Sequence, residues 1–149
     1  MASSVRDEDR GAKALLQRLG QKPRVKVGIL GTDAIQIHRE TPDLTVVDVA
    51  TKHEYGVGVP RRSFLRDYVD ENKADLQRMV RNTGKVIIQG KNPCEALGAL
   101  GNEIVGQIID RILAHIPPEN SEDTKRRKGS DTPLKDTGQL VSSIHSVVE

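Results

Sequence analysis

Apolar and polar residues follow two periods along this chain, and each switch between them marks an element. In residues 7–19, Ala12, Leu15, Leu16 and Leu19 recur at helical spacing, and Gly20 follows where a helix favours a left-handed terminus. Residues 24–30 change to a period of two, with Val25, Val27 and Ile29 alternating against Arg24, Lys26 and Gly28 as in a half-buried strand, and Gly31-Thr32-Asp33 ends it. Residues 44–52, rich in Val and Thr and preceded by Pro42-Asp43, read as a second strand able to pair antiparallel with the first. The stretch between them, 34–41, reads as a long loop or an extended strand end. Ser63 can cap a helix that puts Phe64, Leu65, Tyr68, Val69, Leu76, Met79 and Val80 on one face and Arg66, Asp70, Lys73 and Asp75 on the other, with Gly84 as its stop. A stronger start signal follows in Asn92 as cap, Pro93 at the first helical position and Glu95 three residues after the cap. From there Leu97, Leu100, Ile104, Val105, Ile108, Ile112 and Leu113 form a continuous stripe ending near Ile116-Pro117-Pro118, the expected central helix.

Residues 117–133 carry two prolines, an acidic run and then Lys125-Arg126-Arg127-Lys128 without periodicity, and read as a long solvated arm, mobile in the isolated protein. Residues 139–149, with Leu140, Ile144 and Val147, suit a closing strand that could pair with a neighbouring subunit. The expected fold is α+β: a small antiparallel β-sheet packed against two main α-helices plus a short N-terminal helix, with the long extended arm. A chain of 149 residues suffices for one core, so residues 1–149 are expected to form a single domain.

Composition narrows the function classes. The apolar share is 36% and the charged share 30%, so core-forming material is modest and part of the fold is expected to be completed by neighbours. Aromatic residues make up 2% and Trp is absent, which leaves little for stacking on bases or for an aromatic cage. A net charge of +2 gives no general argument for DNA binding, so any DNA contact has to be local. The lone Cys94 cannot form an internal disulfide, no Cys/His pair has zinc-ligand spacing, and a reducing cytoplasm is expected. The first residues lack the apolar core of a signal peptide, and no apolar run nears the roughly 20 residues that span a bilayer, so secretion and membrane insertion are not expected.

The candidate chemistry is sparse. His53 and Glu54 are adjacent, whereas a helical zinc site needs two His four residues apart, and His38, His115 and His145 are distant in sequence. Gly84-Lys85 and Gly90-Lys91 lack the spaced glycine and the Ser/Thr of a nucleotide loop, and read as turns. Cys94 at a helix start reads as packing, having no base or pocket beside it in the sequence. Two basic clusters, Arg61-Arg62 with Arg66 and Lys125-Arg126-Arg127-Lys128, read either as solvated faces or as contacts to a phosphate backbone or a partner. No catalytic, cofactor or metal site is assigned.

Two runs carry a resemblance. Ala50-Thr51-Lys52-His53-Glu54-Tyr55-Gly56, followed by Val59-Pro60-Arg61-Arg62-Ser63-Phe64-Leu65-Arg66, resembles the "His-Glu-aromatic-Gly, then Pro-x-Arg-x-Phe-Leu" signature of phage tail-completion and virion-morphogenesis proteins. The run from Pro117-Pro118 through Arg127-Lys128-Gly129-Ser130-Asp131 and Pro133-Leu134 to Asp136-Thr137-Gly138-Gln139-Leu140 with Ser142-Ser143-Ile144 is similar to the closing "Pro-Leu-x-Asp-Thr-Gly-x-Leu-x-x-Ser-Ile" of the same family. The resemblance covers the chain from about residue 45 onward. Arg61 and Ser63 stand where such proteins often carry a small residue and a proline, and Lys135 replaces a frequent apolar residue.

The resemblance implies a non-enzymatic virion protein whose copies, commonly six, form a ring in the neck of a long-tailed phage, joining the head connector or head-completion protein to the tail terminator or tail tube. It would assemble in the host cytoplasm, with non-specific contact to genomic DNA in the channel and none to membrane. In mechanical terms, Gly56 and Gly58 should allow a sharp turn, Pro60 should fix the approach to the next helix and Phe64 should anchor it. Asp136-Thr137-Gly138 should form a turn before the last strand, which carries Leu140, and His53-Glu54 should form an edge or interface pair beside Tyr55. The alternatives are a tail-terminator ring, a small DNA-binding regulatory protein acting through residues 125–128, and a hydrolase using His53 and Glu54.

Overall fold

The computed structural model describes residues 11–20, 22–128, 134 and 138–149. In chain order its elements are α1 (Ala12–Leu19), β1 (Val25–Ile29), α2 (Gly31–Ala34), β2 (Ile37–His38), β3 (Thr41–Thr45), α3 (Val46–Tyr55), α4 (Arg66–Glu71), α5 (Lys73–Ile88), α6 (Pro93–Leu113), α7 (Glu122–Lys128), α8 (Gln139–Ser142) and β4 (Ile144–Val148). The class is α+β, with the strands in two antiparallel pairs, β1 with β4 and β2 with β3.

The period-two reading of residues 24–30 holds, but the partner differs from the expectation. β1 pairs with β4, matching Val25 to Val148, Val27 to Ser146 and Ile29 to Ile144, and paired backbone bonds between Arg24 and Glu149 extend the ladder. Strand β4 thus completes a sheet within the chain itself. Helix α6 lies against this ribbon with Gly101 at the contact, where an added Cβ would stand 2.7 Å from both Ser146 Cβ and Val25 Cγ2. Its start follows the sequence: the Asn92 side chain accepts from the amides of Cys94 and Glu95, and Pro93 fills the first turn. Cys94 itself is exposed, so packing does not explain it.

Of residues 44–52 only Leu44 and Thr45 are strand, and the rest is helix. β3 ends at Thr45, whose side chain accepts from the Asp48 amide while the Asp48 carboxylate accepts from the Thr45 amide, a capping box that starts α3. Val46 and Ala50 on that helix are buried. The helix expected from Ser63 to Gly84 is two helices. Asn72 interrupts it: its backbone leaves the helical region at φ −106° and ψ 19°, its side-chain nitrogen donates to the Tyr68 carbonyl, and α5 then runs past Gly84 to Ile88. Gly20 is right-handed at the end of α1, not left-handed. The stretch 34–41 contains the end of α2 and the short strand β2.

The extended-arm reading of 117–133 is corrected too. Ser121 accepts the Thr124 amide, Glu122 and Asp123 occupy the first turn of α7, and Lys125–Glu122 and Arg126–Asp123 pairs run along it. Asn120 is buried, and residues 129–133 lie outside the described set. Residues 139–142 form α8, so the closing strand is shorter than expected. One core joins Val46, Phe64, Tyr68, Ile108, Ile112, Ile116, Leu134, Leu140 and Ile144, which ties α3, α4, α6, α8 and β4 together.

Candidate functional site

The residues singled out by sequence converge on the loop between α3 and α4. Gly56 ends α3 with a φ of 75°, its Cβ position lies 3.0 Å from Arg61 Cβ, and Gly58 adopts a φ of 72°, so both serve the turn expected of them. Pro60 follows in the loop, and Phe64 is fully buried as the anchor of the helix that comes next.

Glu54 has a different role from the edge pair expected. It is buried on α3 and accepts from Ser63 Oγ at 2.6 Å and from the amides of Phe64, Leu65 and Arg66 at 3.0, 3.2 and 2.7 Å. Those amides open α4 and have no intrahelical partner. One carboxylate therefore replaces the missing turn of the helix, with its negative charge at the positive end of the helix dipole. Ser63 also accepts the Asp67 amide, so the serine expected as a cap takes part in one larger bracket with Glu54. The neighbouring His53 carbonyl accepts the Arg62 amide at 2.7 Å.

Arg62, part of a basic cluster in the sequence, is buried. Its Nε donates to the Pro118 carbonyl at 2.8 Å and its Nη2 to the Glu119 carbonyl at 3.1 Å, and burial pushes the guanidinium below its usual pKa. It braces the segment after α6 and does not face solvent. Arg61 pairs with Asp67, which raises the arginine and lowers the carboxylate. Arg66 lies over the exposed Tyr55 ring at 5.0 Å and donates to its hydroxyl. In the second cluster Lys125 bonds Glu119 and Glu122, holding its ammonium above the usual range, and Arg126 bonds Asp123. Both basic clusters are therefore partly neutralised by their own neighbours; the side chains of Arg127 and Lys128 lie outside the described set.

In the closing run, Gly138 is left-handed ahead of α8 and Leu140 is buried, while Asp136 and Thr137 fall outside the described residues. Gln139, not singled out from sequence, links distant segments: its Nε2 donates to the Ile37 carbonyl and its Oε1 accepts the Arg39 amide. Nothing in its sequence neighbourhood signals this, since both partners lie about a hundred residues away.

Among the described residues no three His, Cys, Asp or Glu side chains gather to hold a metal ion, and no helix is long and apolar enough to cross a membrane. Comparison with protein-family models, curated proteins and solved structures finds no match to this chain.

Proposed function

We propose that this chain is a structural subunit of the neck of a long-tailed bacteriophage, a homo-oligomeric ring that joins the head connector to the tail. The reading rests on the two signature-like runs, and one observation supports it most. Glu54, Arg62, Phe64 and Leu140, which stand at specified positions of those signatures, act as internal braces or core, which supports reading the runs as keeping the shape of a subunit. Function then resides in shape and valency, where many weak contacts add around a closed ring.

Lateral docking has a candidate surface. Val69, Leu76 and Val80 line a shallow groove on α4 and α5 beside Lys73 and Arg81, with Val69 and Val80 50% and 56% exposed. Apolar surface of this kind, framed by charge, suits burial against a neighbouring copy. DNA inside such a ring would meet only scattered phosphate contacts, since Arg61, Arg62, Arg66, Lys125 and Arg126 are engaged by their own neighbours.

Mass photometry of the purified protein, alone and with isolated tails or DNA-filled heads, tests the reading. A ring, or a monomer that becomes one on those particles, is the expected result. A monomer that ignores both particles and binds free DNA in a steeply salt-dependent way overturns it and favours a regulatory DNA-binding protein.

A further inference from the structure

A cavity of about 520 Å³ opens between α3, the β2–β3 pair and the segment after α6, a volume within the range of small-ligand sites. Its apolar wall includes Leu44, Val49, Val59, Leu134 and Leu140. Two polar groups in the same wall are incompletely satisfied. Asn120 is 7% exposed, and among the described residues its Nδ2 amide has no hydrogen-bond partner, although buried donors are nearly always paired. Arg62 is 5% exposed and meets two carbonyls, but no described carboxylate pairs with its charge. The Arg62 guanidinium is bonded to the carbonyls of Pro118 and Glu119, the two residues that precede Asn120, and both side chains belong to residues lining the one cavity. Lys52 adds a second cation to the wall, while the two lining carboxylates, Glu40 and Glu119, are exposed and Glu119 engages Lys125.

Among the described residues, then, this wall holds an unpartnered donor and a buried cation without a paired carboxylate, a combination that suits an acceptor carrying negative charge. We infer that this cavity binds a carboxylate borne on a short aliphatic group, the carboxylate meeting Asn120 and Arg62 and the aliphatic part covering the apolar wall. A polynucleotide phosphate fits poorly, because its flanking charges would be stranded against Leu44, Val49 and Leu140. The ligand can be a free aliphatic acid or the end of a polypeptide chain, and the site stands whether or not the protein forms a ring.

The test follows the Asn120 side-chain amide resonances of the full chain by NMR while three probes are added: N-acetyl-leucine, its neutral counterpart N-acetyl-leucinamide, and 4-methylpentanoate. N-acetyl-leucine should shift those resonances saturably, and the neutral amide should bind at least about tenfold more weakly, having lost the charge-assisted bond. Equal affinity for acid and 4-methylpentanoate assigns the site to a free acid, whereas tighter binding of N-acetyl-leucine assigns it to a chain end. Read by titration calorimetry because it removes the reporting amide, Asn120→Asp should abolish binding of N-acetyl-leucine by setting a carboxylate against the ligand, and Lys52→Gln, on a half-buried side chain, should weaken it severalfold with the circular dichroism unchanged. Equal binding of the acid and the neutral amide, or no movement of the Asn120 resonances with the acid, overturns the inference.

Discussion

At the scale of single residues, the fold depends on a few polar side chains that take over the work of missing backbone partners. Glu54 is the clearest, because an ionised carboxylate is acceptor-only and can receive all four donors aimed at it. Glutamine keeps the shape but offers one acceptor oxygen and turns an NH2 group toward donors. Glu54→Gln is therefore expected to cost about 3 kcal/mol of stability, read as a lower urea midpoint at unchanged slope; a loss under about 1 kcal/mol would contradict the bracket. The capped and ion-paired carboxylates predict the acid limb of stability. Asp48 is lowered first by hydrogen bonding from Thr45, Asp67 by Arg61 and Glu71 by Arg111. A depressed folded pKa contributes stability above the unfolded value and loses it as pH falls through the folded one. The melting temperature should thus hold through neutral pH and fall below about pH 4, and Asp48→Asn should flatten that fall.

At the scale of elements, packing distance decides which glycines matter. Gly101 lets α6 approach the β1–β4 ribbon, and a methyl group there meets Ser146 and Val25 at 2.7 Å. Gly106, on the same helix, has nothing within 4 Å of its Cβ position. Gly101→Ala should destabilise, as overpacking of about 1–3 kcal/mol outweighs the gain in helix propensity. Gly106→Ala should stabilise by about 0.5–1 kcal/mol. Thermal unfolding of the two variants side by side checks the pair, and shifts of the same sign would refute the close approach. Element identity was partly legible in advance. The α6 cap and stripe were plain, and α3 carried its own signal in Thr45-x-x-Asp48, which the β-branched run Val46-Val47-Val49 outweighed in a reading by composition. In α7 the same holds for Ser121 followed by Glu122, Asp123 and then Lys125 and Arg126, a capped and charge-ordered helix concealed in a segment without apolar period.

At the scale of the whole molecule, the proposed ring makes the α4–α5 groove the surface to disturb. Val80→Asp is expected to leave circular dichroism and melting nearly unchanged, since the side chain is 56% exposed, while preventing assembly on heads or tails as followed by mass photometry. Assembly unaffected by that change would move the interface elsewhere on the subunit.

The chain by itself determined what local chemistry determines: the α+β class, the alternation in β1, the start of α6, the turn at Gly56 and Gly58, and the buried anchor Phe64. These follow from periodicity, capping and steric freedom within a few residues. Tertiary structure alone decided that β1 pairs with β4 over more than a hundred residues, that Arg62 is a buried brace and not a surface cation, and that Gln139 ties α8 to β2. Pairing, burial and hydrogen-bond partnership between distant segments depend on which surfaces the packed core brings together, and no window along the chain contains that information.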